Sequence, residues 1–206
     1  MSVRPQHLLR EQRKQKRLLQ KARLRLEASV HDVDWQPTRN LDRSRIAQLS
    51  QNDWVVRGQN LLITGPCGCG KTYIGFALGN NGCQQGYSVQ YWRLSRLLGE
   101  LTHGRADGSY GRQLKQLSGT QLLILDDWGL EALSSAHRND LLEVMDDRYG
   151  KSATVMISQL PTKEWYGCVG ESTLADAILD RVMHNAHRLE MKGESMRKRR
   201  SLVDTK

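Results

Sequence analysis

The sequence predicts an α/β fold in which a parallel β-sheet is held between helices. Three observations carry that expectation. Runs rich in Leu, Ile and Val alternate with helix-like segments, a glycine-rich turn follows one such run and opens a helix, and two carboxylates stand at the end of another. Strands apolar nearly throughout are buried on both faces, and their alternation with helices implies parallel crossover connections. At 206 residues the chain has room for one well-filled core with appendages.

The elements follow in chain order. Residues 6–26 read as a basic amphipathic helix: at 100° per residue, Arg10, Arg13, Lys14, Arg17, Lys21 and Arg25 share one arc. Leu8, Leu18, Leu19, Ala22 and Leu26 lie on another face, with Leu24 out of pattern. Two readings are compatible here, leucines covering the core and cations meeting a nucleic acid. From Ser29 to Arg57 the chain reads as an ordered connection holding a short helix around Arg43–Leu49. Leu61–Thr64 is a strand, Tyr73–Leu78 the first turns of a helix, Ser88–Trp92 a strand, and Leu94, Leu97, Leu98 and Leu101 the apolar stripe of a helix. "QLLILDDWG" is a strand, and "SSAHRNDLLEVMDDRYG" a helix started by Ser134 or Ser135 and stopped by Gly150. "ATVMISQLP", "TLADAILDRVM" and "AHRLEM" then read as strand, helix and strand.

The turn "GPCGCGKT" admits three chemistries. Cys67 and Cys69 are one residue apart, with no second pair, and Cys83, Cys168 and a loose His184/His187 couple complete no zinc pattern. The cysteines therefore read as reduced thiols, with Cys67 and Cys69 as small residues on the outside of the turn. The phosphate reading is stronger, because Gly65, Gly70, Lys71 and Thr72 satisfy G-x-x-x-x-G-K-[ST] between a strand and a helix. Glycines let the backbone curl so that successive N–H groups point inward, and the helix N-terminus adds partial positive charge. The cradle then comprises Gly65, Pro66, Cys67, Gly68, Cys69, Gly70, Lys71, Thr72 and Tyr73. Lys71 neutralises the β- and γ-phosphates of ATP, and the Thr72 hydroxyl holds Mg2+.

The second half of the site follows. Leu122–Leu125 run into Asp126 and Asp127, so a rigid strand delivers Asp126 opposite Thr72 for Mg2+ and Asp127 to orient the attacking water. Together the two motifs predict a P-loop NTPase, its ligand beyond the carboxyl ends of the strands. The strand at 88–92, between the motifs in sequence, marks the branch of these ATPases that inserts a strand between loop and acid. The following strand ends at Ser158 and Gln159, where a polar side chain has reach to the γ-phosphate; the competing reading of Gln159 is a solvent-facing turn residue before Pro161. No N-K-x-D guanine signal occurs, and a small-molecule kinase would carry lid and acceptor segments without cationic arms.

Charge sits at the ends. The total is +9, yet residues 1–28 hold nine basic and two acidic side chains, residues 192–200 five and one, and residues 29–191 sixteen and eighteen. A near-neutral core with cationic arms predicts a polyanionic partner, since Lys and Arg beside a phosphate backbone release counterions. Arg197, Lys198, Arg199 and Arg200 join the six arginines and lysines of the first helix as candidate DNA contacts. No apolar run approaches a membrane span and the start is basic and polar, so the expected protein is cytoplasmic and makes no membrane contact. The expected division is a helical arm (1–34), an ATPase core (35–191) and a basic tail (192–206).

"QNLLITGPCGCGKTYIGFALG", "LLILDDWGLE", "MISQLP" and "ADAILDRVMHNAHRLEMKGESMRK" together resemble the IstB-like helper ATPases of insertion-sequence transposons, relatives of the helicase loader DnaC within the AAA+ class. The resemblance implies an ATPase that oligomerises on duplex DNA, marks a target and stimulates a cognate transposase. It implies nucleotide contacts from Gly65 to Thr72, Mg2+ assistance from Asp126, water activation by Asp127 and sensing by Gln159. It also implies that Arg181 is an arginine finger acting on a neighbouring subunit; read alone, Arg181 is a helix-surface residue paired with Asp180 or Asp176. Two departures stand out. Asp127 is one methylene shorter than the usual glutamate, which predicts slow turnover, and 15 residues follow Met191, fewer than the helical lid of most AAA+ proteins. A DnaC-like helicase loader and a hydrolysis-deficient ATP-binding module remain the alternatives.

Overall fold

A computed structural model of the chain describes residues 4–170 and 172–196. The tail residues Arg197, Lys198, Arg199 and Arg200 lie outside these described residues. The strands are β1 (Asn60–Thr64), β2 (Val89–Arg93), β3 (Leu122–Trp128), β4 (Ala153–Ser158) and β5 (Ala186–Glu190). All pair in parallel, in the order β2-β3-β4-β1-β5. Around them lie α1 (Arg4–Ala22), α2 (Arg43–Ser50), α3 (Asp53–Val56), α4 (Lys71–Gln84), α5 (Leu94–Asp107), α6 (Tyr110–Ser118), α7 (Ser135–Arg148), α8 (Trp165–Val169) and α9 (Ser172–Met183).

The apolar runs sort onto two cores by the two-residue period of a strand. Leu61, Ile63, Leu122, Ile124, Val155 and Ile157 pack with α1, α2 and α4 on one face of the sheet; Leu62, Leu123, Leu125 and Met156 pack with α5, α7 and α9 on the other. Helix α4 lies close to the sheet because Gly75 and Gly79 face it. A Cβ there would stand 2.7 Å from the Ile157 Cδ1 and 2.9 Å from the Ile124 Cδ1. Each glycine costs about 1 kcal/mol of helix propensity relative to alanine. The close helix–sheet contact offsets that.

The structure amends several expectations. The strand between β1 and β3 in space is β4, which follows β3 in sequence; β2, the intervening strand in sequence, is at the sheet edge. Helix α1 stops at Ala22 rather than residue 26, because Arg23 turns into the left-handed region at φ 58°. That turn redirects the apolar residues. Leu24, out of pattern on the wheel, packs against the core, while Leu19 and Leu26 are exposed and the Leu8 side chain lies outside the described residues. Helices α3, α6 and α8 have no counterpart in the periodicity reading. The helix expected after Ser134 or Ser135 begins at Ser135, with the Ser134 hydroxyl accepting from the His137 N–H.

A buried arginine ties the far end of the sheet together. Arg148, in the last turn of α7, is 2% exposed and forms no ion pair among the described residues. Its guanidinium donates to the carbonyls of Leu117, Thr120 (2.7 Å) and Ala153 (2.5 Å) and to the Thr154 hydroxyl (3.0 Å).

Candidate functional site

The loop from Gly65 to Gly70 leaves the end of β1 and enters α4, with Gly70 as N-cap at φ 93°, a conformation that favours glycine. The backbone N–H groups of Gly70, Lys71, Thr72 and Tyr73 meet no acceptor among the described residues. These are the orphan donors of a helix start, aimed out of its first turn. Lys71 is 7% exposed, and its ammonium donates to the carbonyls of Gly65 and Pro66, both at 2.8 Å. Cys67 is exposed, but Cys69 is buried in the core rather than on the outside of the turn. The cause is that the loop's outer wall is covered: the Cys69 carbonyl accepts from Arg39 at 2.9 Å. Tyr73 exchanges hydrogen bonds with the backbone of Ser29, at 3.3 and 3.4 Å.

Asp126 meets Thr72 as the two motifs predict. The Thr72 hydroxyl donates to the Asp126 Oδ2 at 2.9 Å, the Tyr91 hydroxyl donates to the same oxygen at 3.2 Å, and the Asp127 N–H donates to Oδ1 at 2.9 Å. Burial pushes the Asp126 carboxyl above the usual carboxylate range, opposed by these hydrogen bonds. The Tyr91 hydroxyl is raised too, by burial first and by the Asp126 charge second. A hydroxyl and a carboxylate side by side are hard oxygen donors, so the pair fits Mg2+ and not a soft metal.

Asp127 occupies a different setting. The pairing of β3 with β4 shifts between Leu125 and Trp128, a bulge that places Asp127 at φ 62°. A non-glycine residue there costs on the order of 1 kcal/mol, and a bulge turns a side chain away from its strand-determined direction. The carboxylate faces the sheet edge, 3.4 Å from the Arg93 Nε. Gln159 is exposed just past β4, whereas Ser158 is committed to structure, donating to the Trp128 carbonyl at 2.7 Å and accepting from the Leu160 N–H at 3.0 Å.

Arg181 is remote from the loop of its own chain. Asn60, the first residue of β1, donates to the carbonyls of Arg181 and Val182, at 3.1 and 3.0 Å, while the loop leaves the last residue, Thr64. Four strand steps separate those ends by about 13 Å. The guanidinium bonds Asp146 of α7 at 2.6 Å and the Ala177 carbonyl at 2.9 Å, rather than Asp180 or Asp176. Arg10, Arg13, Lys14, Arg17, Lys21 and Arg25 are exposed and form no ion pair among the described residues, and Arg25 lies over the Tyr91 ring, 5.9 Å from its centroid.

Sequence reasoning missed Tyr91, Arg93 and Arg39. The first two carry a faint signal: they are two apart on β2, on one face, and Arg93 is in register with Asp126. Reading it requires knowing that β2 and β3 are neighbours. Arg39 carries no local signal.

A sequence profile described as IstB-like ATP binding protein matches residues 1–203. The chain is 48% identical over 177 residues to the putative insertion sequence ATP-binding protein y4pL of Sinorhizobium fredii (strain NBRC 101917 / NGR234), covering 86% of this chain and 72% of that one. It is 46% identical over 165 residues to the putative ATP-binding protein of insertion sequence IS1162 from Pseudomonas fluorescens, covering 80% and 71%. Among solved structures, the DnaC helicase loader superposes with a TM-score of 0.68 at 20% identity, covering 80% of this chain and 97% of that one. That likeness shows a shared fold. No helix among the described residues is long and apolar enough to cross a membrane.

Proposed function

The chain belongs to the family of IstB-like ATP-binding proteins carried by insertion sequences, and from that premise we propose that it is a Mg2+-dependent ATPase that assembles on duplex DNA and supports transposition by target selection and transposase stimulation. One observation carries the ATP half: a ring of backbone N–H groups that no acceptor among the described residues answers, beside Lys71, a buried ammonium that donates to loop carbonyls. Such a cradle is deficient in negative charge, and a polyphosphate supplies it.

In this reading Lys71 leaves the Gly65 and Pro66 carbonyls for the phosphates, and Thr72 and Asp126 hold Mg2+, which neutralises charge on the phosphate oxygens. Asp127 orients the attacking water from its strained bulge once Arg93 releases it. Gln159 senses the γ-phosphate from the tip of β4. Hydrolysis without the chain assembling is slow, because the arginine that answers the developing charge comes from a neighbour. Arg181 is held at the opposite end of β1 from its own loop, which supports action in trans.

That point has a direct test. Arg181→Ala and Lys71→Ala are each expected to lose turnover when alone, and an equimolar mixture is expected to recover a measurable part of it. Mixed interfaces pair an intact loop with an intact arginine. A mixture as inactive as its components sinks the trans role. The reading as a whole is tested by ATP turnover with no DNA, with duplex and with single strands, the expected result being duplex stimulation. A second reading, an ATP-binding module without turnover, draws on the Arg93–Asp127 pair; tight Mg2+·ATP binding with no turnover under any of these conditions would establish it.

The DNA half rests on the exposed cations of α1, which form no ion pair among the described residues. Truncating residues 1–28 would disturb more than charge, because Ala22 and Ala28 are buried and Asn80 donates to the carbonyls of Leu26 and Ala28 at 3.2 and 2.9 Å. Substituting Arg10, Arg13 and Arg17 together with glutamine leaves that packing intact. The triple variant is expected to flatten the log–log dependence of duplex affinity on salt by up to about 2.7, roughly 0.9 for each phosphate no longer neutralised. An unchanged slope assigns the helix to packing alone.

A further inference from the structure

We propose that Arg39 is a positioning residue of the nucleotide site, a buried cation that fixes the outer wall of the phosphate loop and shares its charge with the bound polyphosphate. The inference rests on the ATP-binding reading above.

Arg39 ends a 3-10 turn, Pro37–Arg39, ahead of α2, and is 5% exposed. Its guanidinium donates to two backbone carbonyls, Asp34 at 2.5 Å and Cys69 at 2.9 Å, and its Nε is buried without a partner among the described residues. No carboxylate pairs with it among the described residues. A buried charge answered only by carbonyl dipoles is an unfavourable arrangement in isolation. It lies directly against the loop, since a Cβ on Gly70 would meet the Arg39 Nη2 at 2.6 Å. The missing counter-charge is therefore sought at the loop.

The Cys69 contact also has a directional consequence. In a planar trans peptide the carbonyl of one residue and the N–H of the next point to opposite sides. Holding the Cys69 carbonyl on Arg39 turns the Gly70 N–H away from Arg39, and that N–H meets no acceptor among the described residues. Arg39 thus orients one of the cradle's donors without touching the ligand that donor meets.

The same turn connects the loop to the chain beyond β5. The Arg39 carbonyl accepts from the Lys192 N–H at 3.0 Å, and the Asn40 side chain donates to the Glu190 carbonyl at 2.7 Å. The segment then returns to the loop, where the Met191 N–H donates to the Thr64 carbonyl at 2.7 Å and the Met196 N–H to the Gly68 carbonyl at 2.9 Å. Arg39 stands where turn, loop and strap meet.

The test is Mg2+·ATP affinity by calorimetry on the full chain for the wild type, Arg39→Met and Arg39→Lys, with folding verified by near-ultraviolet circular dichroism. Arg39→Met is expected to weaken binding at least about 10-fold, since it removes a charge and a charge-assisted hydrogen bond. Arg39→Lys is expected to recover most of that loss, which a purely packing role would not predict because lysine lacks the planar fork. If Arg39→Met does not fold, Arg39→Gln, neutral and still able to donate to one carbonyl, replaces it. A folded neutral variant that binds within about threefold of the wild type, or a lysine variant as weak as the neutral one, overturns the proposal. A wild-type chain that does not bind Mg2+·ATP sinks the nucleotide reading itself, a separate outcome.

Discussion

Replacing Lys71 with alanine is expected to weaken Mg2+·ATP binding by about 100-fold or more and to abolish turnover. A unit charge pair at 4 Å is worth about 4 kcal/mol at the effective dielectric near a protein surface, close to a factor of 1,000 in affinity. Some of that is lost, because the ammonium must first leave the Gly65 and Pro66 carbonyls, each at 2.8 Å. The remainder still exceeds the contribution of any single loop N–H, which nets about 1 kcal/mol. The substitution also leaves those carbonyls for water, so the loop retains its fold. Titration with Mg2+·ATP measures the effect, and the pairing with Asp126→Asn sharpens it. The asparagine keeps much of the shape that accepts from Thr72, Tyr91 and the Asp127 N–H but loses the negative charge. Its affinity is expected to become insensitive to Mg2+, whereas Lys71→Ala loses affinity with or without the ion. Binding by Lys71→Ala within a few fold of the wild type would mean that the triphosphate does not sit in this loop.

The parts legible in the sequence are those whose determinants are local. The strand, loop and helix of the cradle lie within one continuous stretch, and the apolar run ending in Asp126 announces a strand because both of its faces are buried. What the sequence hides is pairing across distance. Asp127 reads as a free carboxylate until β2 is known to lie beside β3, which brings Arg93 against it. Arg181 reads as a partner for Asp180 or Asp176, its neighbours in sequence, but α7 packs on α9 and offers Asp146. The Arg39–Cys69 bond spans thirty residues of chain with no periodicity to betray it. Helix α6 is hidden differently: Gly108, at φ 78°, ends α5, and only Leu117 of the nine residues that follow in α6 is buried. Tyr110, Leu114 and Leu117 do fall at the i, i+4, i+7 spacing of a helix, but nine residues directly after that glycine are a short window in which to read a period.

The second large effect belongs to Arg148, on which the stability of the sheet's lower end depends. Helix α6 ends at Ser118, and a helix end leaves carbonyls without intrahelical donors. Arg148 adds a donor from α7 to the Leu117 carbonyl, which also accepts from the Thr120 N–H at 3.2 Å, and the same guanidinium holds Thr120 before β3 and Ala153 and Thr154 at the start of β4. One side chain thus joins a helix terminus to the neighbouring strand starts that fix the β3–β4 register. Burial pushes its guanidinium down to about 9, which leaves it charged at neutral pH. Swapping a buried ion for an apolar residue is sometimes harmless, but only where its partners are replaced too. Here Arg148→Met removes four hydrogen bonds from a buried site at once, so a loss of roughly 3–5 kcal/mol is expected. In a chain of this size that corresponds to a melting temperature lower by about 6–20 °C. Arg148→Lys, with one compact head for four acceptors, is expected to recover only part of the loss. Nucleotide affinity measured well below the melting point is expected to be unchanged, because the cradle lies at the opposite ends of the strands. Equal stability in Arg148→Met and the wild type, by urea denaturation, would show that the four acceptors are answered by water and that this guanidinium fixes nothing.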